Sequence, residues 1–422
     1  MLKNLPGPVF LATHFRNRQN RRGFWFASIA TLGNKEAGTA MIISRPSARG
    51  LTLIEVLIAI AIIGLLVSLS IPAIQAARES ARRTQCTSNL RQVGVAIALY
   101  HDARHVLPPM IVWTPPGEPL GEGMLGPGVI DRLVRDTDDR PDRAYANWLC
   151  MLLPFLEESA LVAKIDFSVP IGHSRNKSAR ATDLPVLQCP SDMFNGSDNH
   201  YQRISGFGAA DEGYARNNYA MNAGTNESCI MGNFDVSQLP DKKCTDGFWV
   251  DGDDLRSVRR VWGSGIGGVN KSMAFREFPR GLSTMVAVDE IRAGVNAADP
   301  RGVWALGFVG SSTTAGHGIY RKAGNPNNPS PQSDVMANCA KVRSLAGGAE
   351  ALAGMGMGCN PWRIPGSSFE AGSRSLHPGG VNLLMLDGSV HFVVDEVDAN
   401  LWHNMHRRDY HGQLALPFSA RD

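Results

Sequence analysis

At 422 residues, 43% hydrophobic and 19% charged, the chain has enough apolar material for a large folded domain behind an anchor, and is neither disordered nor polytopic. A formal charge of +3 is too small for a nucleic-acid surface, which needs clustered Lys and Arg, so no nucleic-acid partner is expected. The 44 glycines and 25 prolines, concentrated in the later two-thirds, favour a loop-rich, strand-containing body over a helical bundle.

Residues 1–50 read as a basic leader, with Lys3, Arg16, Arg18, Arg21, Arg22 and Lys35 against Glu36 and no sustained periodicity. From Leu51 to Ile74 the chain is apolar except for Thr52, Glu55, Ser68, Ser70 and Pro72. At about 1.5 Å per residue a helix of that length crosses a hydrocarbon core of about 30 Å. An ordinary secretory signal has a shorter apolar region, small residues at its cleavage site and no acid inside. A plain anchor fits the length but leaves Glu55 without a reason, since a charge well inside a membrane helix costs about 2.5–3.5 kcal/mol on insertion scales.

Ser47-Ala-Arg-Gly-Leu-Thr-Leu-Ile-Glu-Val56 resembles the processing region of the type IV prepilin and pseudopilin family. The resemblance implies cleavage by prepilin peptidase between Gly50 and Leu51, methylation of the new amine on Leu51, and a role for Glu55 in neutralising a neighbouring subunit's amine. Pro72 matches the family's proline near the end of the membrane stretch, where it bends the helix. Leu51 departs from the commoner Phe but stays apolar. The implied partners are prepilin peptidase, pilin or pseudopilin subunits and inner-membrane lipid. The implied location is a single pass through the inner membrane, N-terminus cytoplasmic and head extracytoplasmic, with a surface filament as one destination. Met41–Gly50 has the length of the family's leaders, so translation is expected to begin at Met41; a functional basic arm over Met1–Ala40 is the alternative.

Beyond the span, Ala76–Arg83 is rich in helix formers, and Leu90, Val93, Ile97 and Tyr100 make one apolar stripe on an amphipathic helix. Pro108–Pro109 ends it. The expected organisation is therefore a leader (1–50), a helix (51–107, membrane-spanning over 51–74) and a head (108–422). Arg78, Arg82 and Arg83 read as a solvated face, with anionic headgroups as the alternative.

In the head, Asn147–Ile165 reads as a helix interrupted near Pro154. Leu184–Gln188, Thr284–Asp289 and, more weakly, Gly302–Leu306 read as strands. Val381–Leu386 and Ser389–Val394 flank Asp387-Gly388, a hairpin-turn signal. Asp398 is placed to cap a last helix holding Leu401, Trp402 and Met405. Gly263–Gly268 and Ala346–Gly358 read as flexible insert loops. These elements predict an α+β fold, a long N-terminal helix packed against an antiparallel β-sheet head with loop-rich inserts. The segments Arg82–Val93, Leu153–Glu157, Cys189-Pro-Ser-Asp192, Asn218–Gly224 and Ser375–Val390 are similar to those of a large bacterial family that joins a prepilin-type N-terminus to a head ending in His-x9-Asp-Gly. That resemblance implies architecture rather than purpose.

Within the His-x9-Asp-Gly motif, His377, Asp387 and Gly388 are expected to be structural, a tight turn and the loop entering its first strand. The lesser alternative is a cation held with Asn382 and Asp395. His403 and His406, one helical turn apart, with His411 nearby, are a weaker metal candidate beside Arg407 and Arg408. Asp251–Asp254 resembles part of a calcium loop without its closing Glu. Neither a phosphate-binding Gly-x4-Gly-Lys-Ser/Thr loop nor a Gly-x-Ser-x-Gly elbow occurs. No catalytic residue, cofactor or metal is assigned, and an enzyme is not expected. Seven cysteines without a Cys-x-x-Cys pair leave disulfides plausible for an exported head, with Cys229–Cys244 and Cys339–Cys359 as the local pairs. The primary expectation is a pilin-like structural protein serving a type II secretion or type IV pilus-like system. The alternative is a membrane-tethered binding module for a solute, glycan or envelope partner, using Trp249, Trp262 and Trp304 as exposed contacts.

Overall fold

The computed structural model describes residues 52–112, 144–203, 211–225, 249–251, 260–262, 264–307, 309–318, 323–336, 338–361, 370–408, 410, 412, 414 and 416. The chain divides into two compact units, Met1–Gly64 and Leu65–Asp422. One helix, α1 (Leu53–Arg104), begins in the first and ends in the second. Its N-terminus is closed by a capping box: the Thr52 hydroxyl accepts from the Glu55 amide at 3.3 Å, and Glu55 Oε2 accepts from the Thr52 amide at 2.8 Å. Pro72 lies inside the unbroken helix, where it lacks the N–H for one backbone bond. Ser68 and Ser70 turn their hydroxyls back onto the Leu65 and Leu66 carbonyls. Large apolar side chains from Leu53 to Ile74 are exposed on every side of the helix, the pattern of a segment that meets lipid or like helices.

Farther along, the same helix changes character. Cys86, Asn89, Leu90, Val93, Gly94, Ala96 and Ile97 are buried along one stripe. The stripe packs within the second unit against a five-stranded sheet built from β1 (Tyr219–Asn222), β2 (Val286–Glu290), β3 (Thr313–Thr314), β4 (Gly380–Met385) and β5 (Val390–Val394). The spatial order is β3-β1-β2-β4-β5. Only the β3–β1 pair is parallel. Gly94 lets helix and sheet approach closely, because a Cβ there would stand 2.9 Å from Leu384 Cδ1. A terminal helix, α2 (Ala399–Met405), covers the opposite face, where Trp402 and Met405 pack on Val286, Val381, Leu383 and Met385.

Successive strand residues point to opposite faces. Glu290 is paired with Tyr219 and turns toward α1, whereas Asp289 is paired with Leu383 and turns toward α2. That alternation places one acid on each face at the end of a single strand.

The stripe, the interrupted helix after Asn147, the Asp387-Gly388 hairpin and the Asp398 cap all form as the sequence predicts. Several expectations are corrected. The central sheet is mixed, and Ile111 with Gly268–Val269 and Asp334–Met336 with Cys359–Pro361 form further parallel pairs. Leu184–Gln188 holds a 3-10 turn at Pro185–Leu187, since Pro185 has no N–H for a ladder. Gly302–Leu306 contributes only a bridge from Val303 to Arg216. Residues 264–268 are buried, and the Ala346–Gly358 segment carries a helix (Ala349–Gly354) whose Leu352 enters a small core with Cys339, Val342 and Cys359. Gly265 and Gly358 mark close backbone approach, since a Cβ at either would meet a neighbouring carbonyl oxygen.

Candidate functional site

Of the processing residues, Gly50 and Leu51 lie outside the described residues, as does the leader. Glu55 is engaged with Thr52, whose amide and hydroxyl both donate to Oε2 at 2.8 Å. This cap stabilises the first turn and gives Glu55 a local partner in the unassembled chain.

The densest polar arrangement joins α1 to the sheet. Cys86 of α1 forms a disulfide with Cys189, across a sequence separation of 103. Beside it lies His377, with a fully buried side chain. Its Nδ1 donates to Glu79 Oε1 of α1 at 2.7 Å, and its Nε2 faces Glu290 Oε1 of β2 at 3.1 Å and Cys189 Sγ at 3.4 Å. The Glu290 contact has the distance of a hydrogen bond but not its alignment, so we read it as an ion pair. Burial alone pulls His377 toward neutrality, but the neighbouring Glu290 and Glu79 carboxylates outweigh that and raise its pKa above the ordinary histidine value. Glu79 is held below the usual carboxylate range: burial raises it, but His377, Arg82 and Ser191 outweigh the burial. Arg82 donates to Glu79 Oε2 at 2.9 and 2.7 Å, and Ser191 donates to Oε1 at 3.0 Å. Asn382 donates to Glu290 Oε2 from its amide and side chain at 2.9 and 3.0 Å.

Neutral bonds extend the joint. Asn89 donates to the Pro185 and Gln188 carbonyls, and the Tyr219 hydroxyl donates to the Cys86 carbonyl. Arg83 lies 3.5 Å from the centroid of the Phe392 ring. Asn218 fixes the segment after Cys189: its Oδ1 accepts from the Cys189 amide and its Nδ2 donates to Asp192. The family-like segments around Cys86, Cys189, Asn218 and His377 thus converge on one place. Cys86, Cys189, Glu290 and His377 are close enough to share a metal ion, but the disulfide occupies both sulfurs. The arrangement is suited to holding α1 and the sheet as one body.

On the α2 face, Asp289, His317 and His406 are all buried at 0% exposure. His406 Nε2 meets Asp289 Oδ1 at 2.9 Å and stacks on His317 with ring centroids 3.9 Å apart. Ser373 donates to Asp289 Oδ1 at 2.5 Å, and Thr314 donates to Oδ2. Burial, followed by neighbouring His406, pulls His317 down to about 3 against the opposing charge of Asp289.

Other candidates fall apart or into structural roles. Asp387 Oδ1 accepts from the Ser389 amide and hydroxyl, and Gly388 has φ +88°, so both shape the hairpin. Asn382 serves Glu290 and Asp395 accepts from Asn327, so these do not gather around a cation with Asp387. His403 turns its Nδ1 to the His317 carbonyl, away from His406's partner Asp289. Residues 252–254 and His411 lie outside the described residues. Trp304 is fully buried and donates to the Thr182 carbonyl, correcting its reading as an exposed contact; the side chains of Trp249 and Trp262 lie outside the described residues. Cys339–Cys359 is a disulfide as expected, Cys229 and Cys244 lie outside the described residues, and Cys86–Cys189 was not foreseen. Cys150 is a free buried thiol pushed up to about 12 by burial. Sequence reasoning also missed Glu79, Asp289, Glu290 and His317. An acidic pair closing the apolar run Met285–Val288 was the available signal, because acids are seldom buried without partners.

Two family models match the chain. The prokaryotic N-terminal methylation motif covers residues 45–71, spanning Gly50, Leu51 and Glu55. A model described as protein of unknown function (DUF1559) covers residues 75–400, well over half the chain and all of the joint. No curated protein and no solved structure matches. With the exposed apolar helix, the motif marks a prepilin-type, membrane-anchored chain of the kind that prepilin peptidase processes. The protein is thus pilin-like in its N-terminal region, and it belongs to the DUF1559 family.

Proposed function

We propose that the protein is a non-catalytic pilin-like subunit, processed between Gly50 and Leu51 and drawn from the inner membrane by a type II secretion or type IV pilus-like machine. The N-terminus faces the cytoplasm and the head lies outside it. The observation that carries this reading is the joint. A subunit pulled by its membrane helix must transmit that load to its head, and here the helix past the span is tied by a disulfide and a buried His377 between two carboxylates. Cys86–Cys189 and Cys339–Cys359 also favour an oxidising compartment for the head. Glu55 exchanges its local Thr52 partner for the methylated amine of a neighbouring Leu51 on assembly.

The test is Glu55→Ala, expressed in the native host with membrane insertion and multimer cross-linking measured together. Normal insertion with lost cross-linking is expected. Unchanged cross-linking would place the chain as a tethered head that does not assemble.

A further inference from the structure

The joint accounts for Glu290 on one face of the sheet, but the opposite face holds one carboxylate against two imidazoles with a polar valence left over. Asp289, His317 and His406 have no solvent exposure. Among the described residues neither ring nitrogen of His317 has a hydrogen-bond partner, and Nε2 stands 3.5 Å from Asp289 Oδ2. A charged ring buried without a hydrogen bond is costly, so His317 is neutral, and a neutral imidazole keeps one ring nitrogen with a free lone pair. His406 Nδ1 lies 2.7 Å from the Trp402 carbonyl, which only accepts, so Nδ1 carries hydrogen and Nε2 is the atom offered to Asp289. Ser373 and Thr314 fix the carboxylate through both oxygens, as outer-shell donors do for a ligating carboxylate.

We infer that Asp289, His317 and His406 form a structural site for a zinc-type divalent cation, bound through the carboxylate and the two Nε2 atoms. Donors about 2.0–2.2 Å from a tetrahedral ion stand roughly 3.3–3.6 Å apart. His406 Nε2 stands 2.9 Å from Asp289 Oδ1 and His317 Nε2 3.5 Å from Oδ2, and one ligand atom from each residue lies within 4.8 Å of the others. A nitrogen-rich set selects zinc-type ions over Mg²⁺ or Ca²⁺, which prefer oxygen alone. The ion takes His406 in its neutral form with Nδ1 donating to the Trp402 carbonyl, so any proton on Nε2 leaves to solvent on binding. The ring planes, 17° apart, then open so that both Nε2 edges converge on the ion. The site ties β2, the His317 loop and the end of α2 together, on the face that no disulfide crosses among the described residues.

The test uses the full chain in detergent, stripped with chelator and titrated with Zn²⁺ and with Co²⁺ as a visible probe. One equivalent is expected, with the d–d absorption of four-coordinate Co²⁺ and release of protons on binding. Asp289→Asn, which keeps its shape for Ser373 and Thr314, and His317→Gln should each weaken uptake by about 100-fold or more. His377→Gln, across the sheet, should leave uptake unchanged. If a variant misfolds, the wild-type titration still decides. No stoichiometric uptake, with ¹⁵N spectra showing His406 protonated on both nitrogens throughout, would overturn the site in favour of a plain buried ion pair. Full uptake by folded His317→Gln would overturn it as adventitious binding elsewhere.

Discussion

The two faces of the central sheet solve the same problem in opposite ratios. Toward α1, two carboxylates share one histidine, so the His377 pKa is raised and its partners bind helix to sheet. Toward α2, two histidines share one carboxylate, which leaves the His317 ring without a hydrogen-bond partner among the described residues. The acids responsible are neighbours in sequence, separated only by the alternation of β2. A surplus of carboxylate makes a clamp, whereas a surplus of imidazole leaves a buried ring nitrogen able to act as a ligand.

The largest effect should come from breaking the clamp covalently. Cys86→Ser with Cys189→Ser opens a loop with a sequence separation of 103, for which chain entropy predicts a loss of about 4–5 kcal/mol. Urea unfolding of the detergent-solubilised chain measures it; unchanged stability would mean that the joint does not depend on the bridge. Next, His377→Gln leaves Glu290 buried without its ion-pair partner, at a cost of about 3–5 kcal/mol. Glu79→Gln should cost less than half as much, because Glu79 is 21% exposed and water can replace its partner. Equal losses would erase the distinction between the buried and the half-buried carboxylate.

Gly94→Leu, at the close helix–sheet contact, should cost about 1–3 kcal/mol, while Gly64→Leu, with nothing within 4 Å, should leave the unfolding midpoint unchanged. The smallest effect is on pH dependence. The folded pKa of His377 is raised, so its contribution is full below the unfolded value near 6.5 and is lost as pH rises through the higher folded value. Glu79 is depressed, so its contribution is present above about 4.5 and fades as pH falls through its lower folded value. Unfolding midpoints from pH 4 to 9 should therefore decline on the alkaline side in wild type, with that decline reduced in His377→Gln.

Much of this frame was legible in the sequence because it rests on local signals. The Leu51–Ile74 run, the Leu90–Val93–Ile97 stripe, Asp387-Gly388 and Asp398 each specify their own neighbourhood through hydrophobic period, turn chemistry or capping. His377 was singled out as part of a motif, but its role depends on Glu79 and Glu290, brought together only by the packing of α1 on β2. The same holds for Cys86 and Cys189, since spacing favours local pairs and this bridge is not local. Glu79 lies between Arg78 and Arg82, which read as a solvated face, and nothing within a few residues reveals that packing half-buries it. His317 carried no periodic or motif signal at all. Where glycines suggested loose inserts, as at Gly265 and Gly267, they instead allow backbone to pass close to Ala223 and Met110.

The central claim, that this is a processed pilin-like subunit whose helix is fastened to its head, turns most directly on the mature N-terminus. Intact-mass and N-terminal peptide spectrometry of protein from its native host should give a chain beginning at Leu51 with a methylated amine. A chain retaining Gly50, or cut elsewhere, would contradict the account and leave Glu55 with only its Thr52 cap.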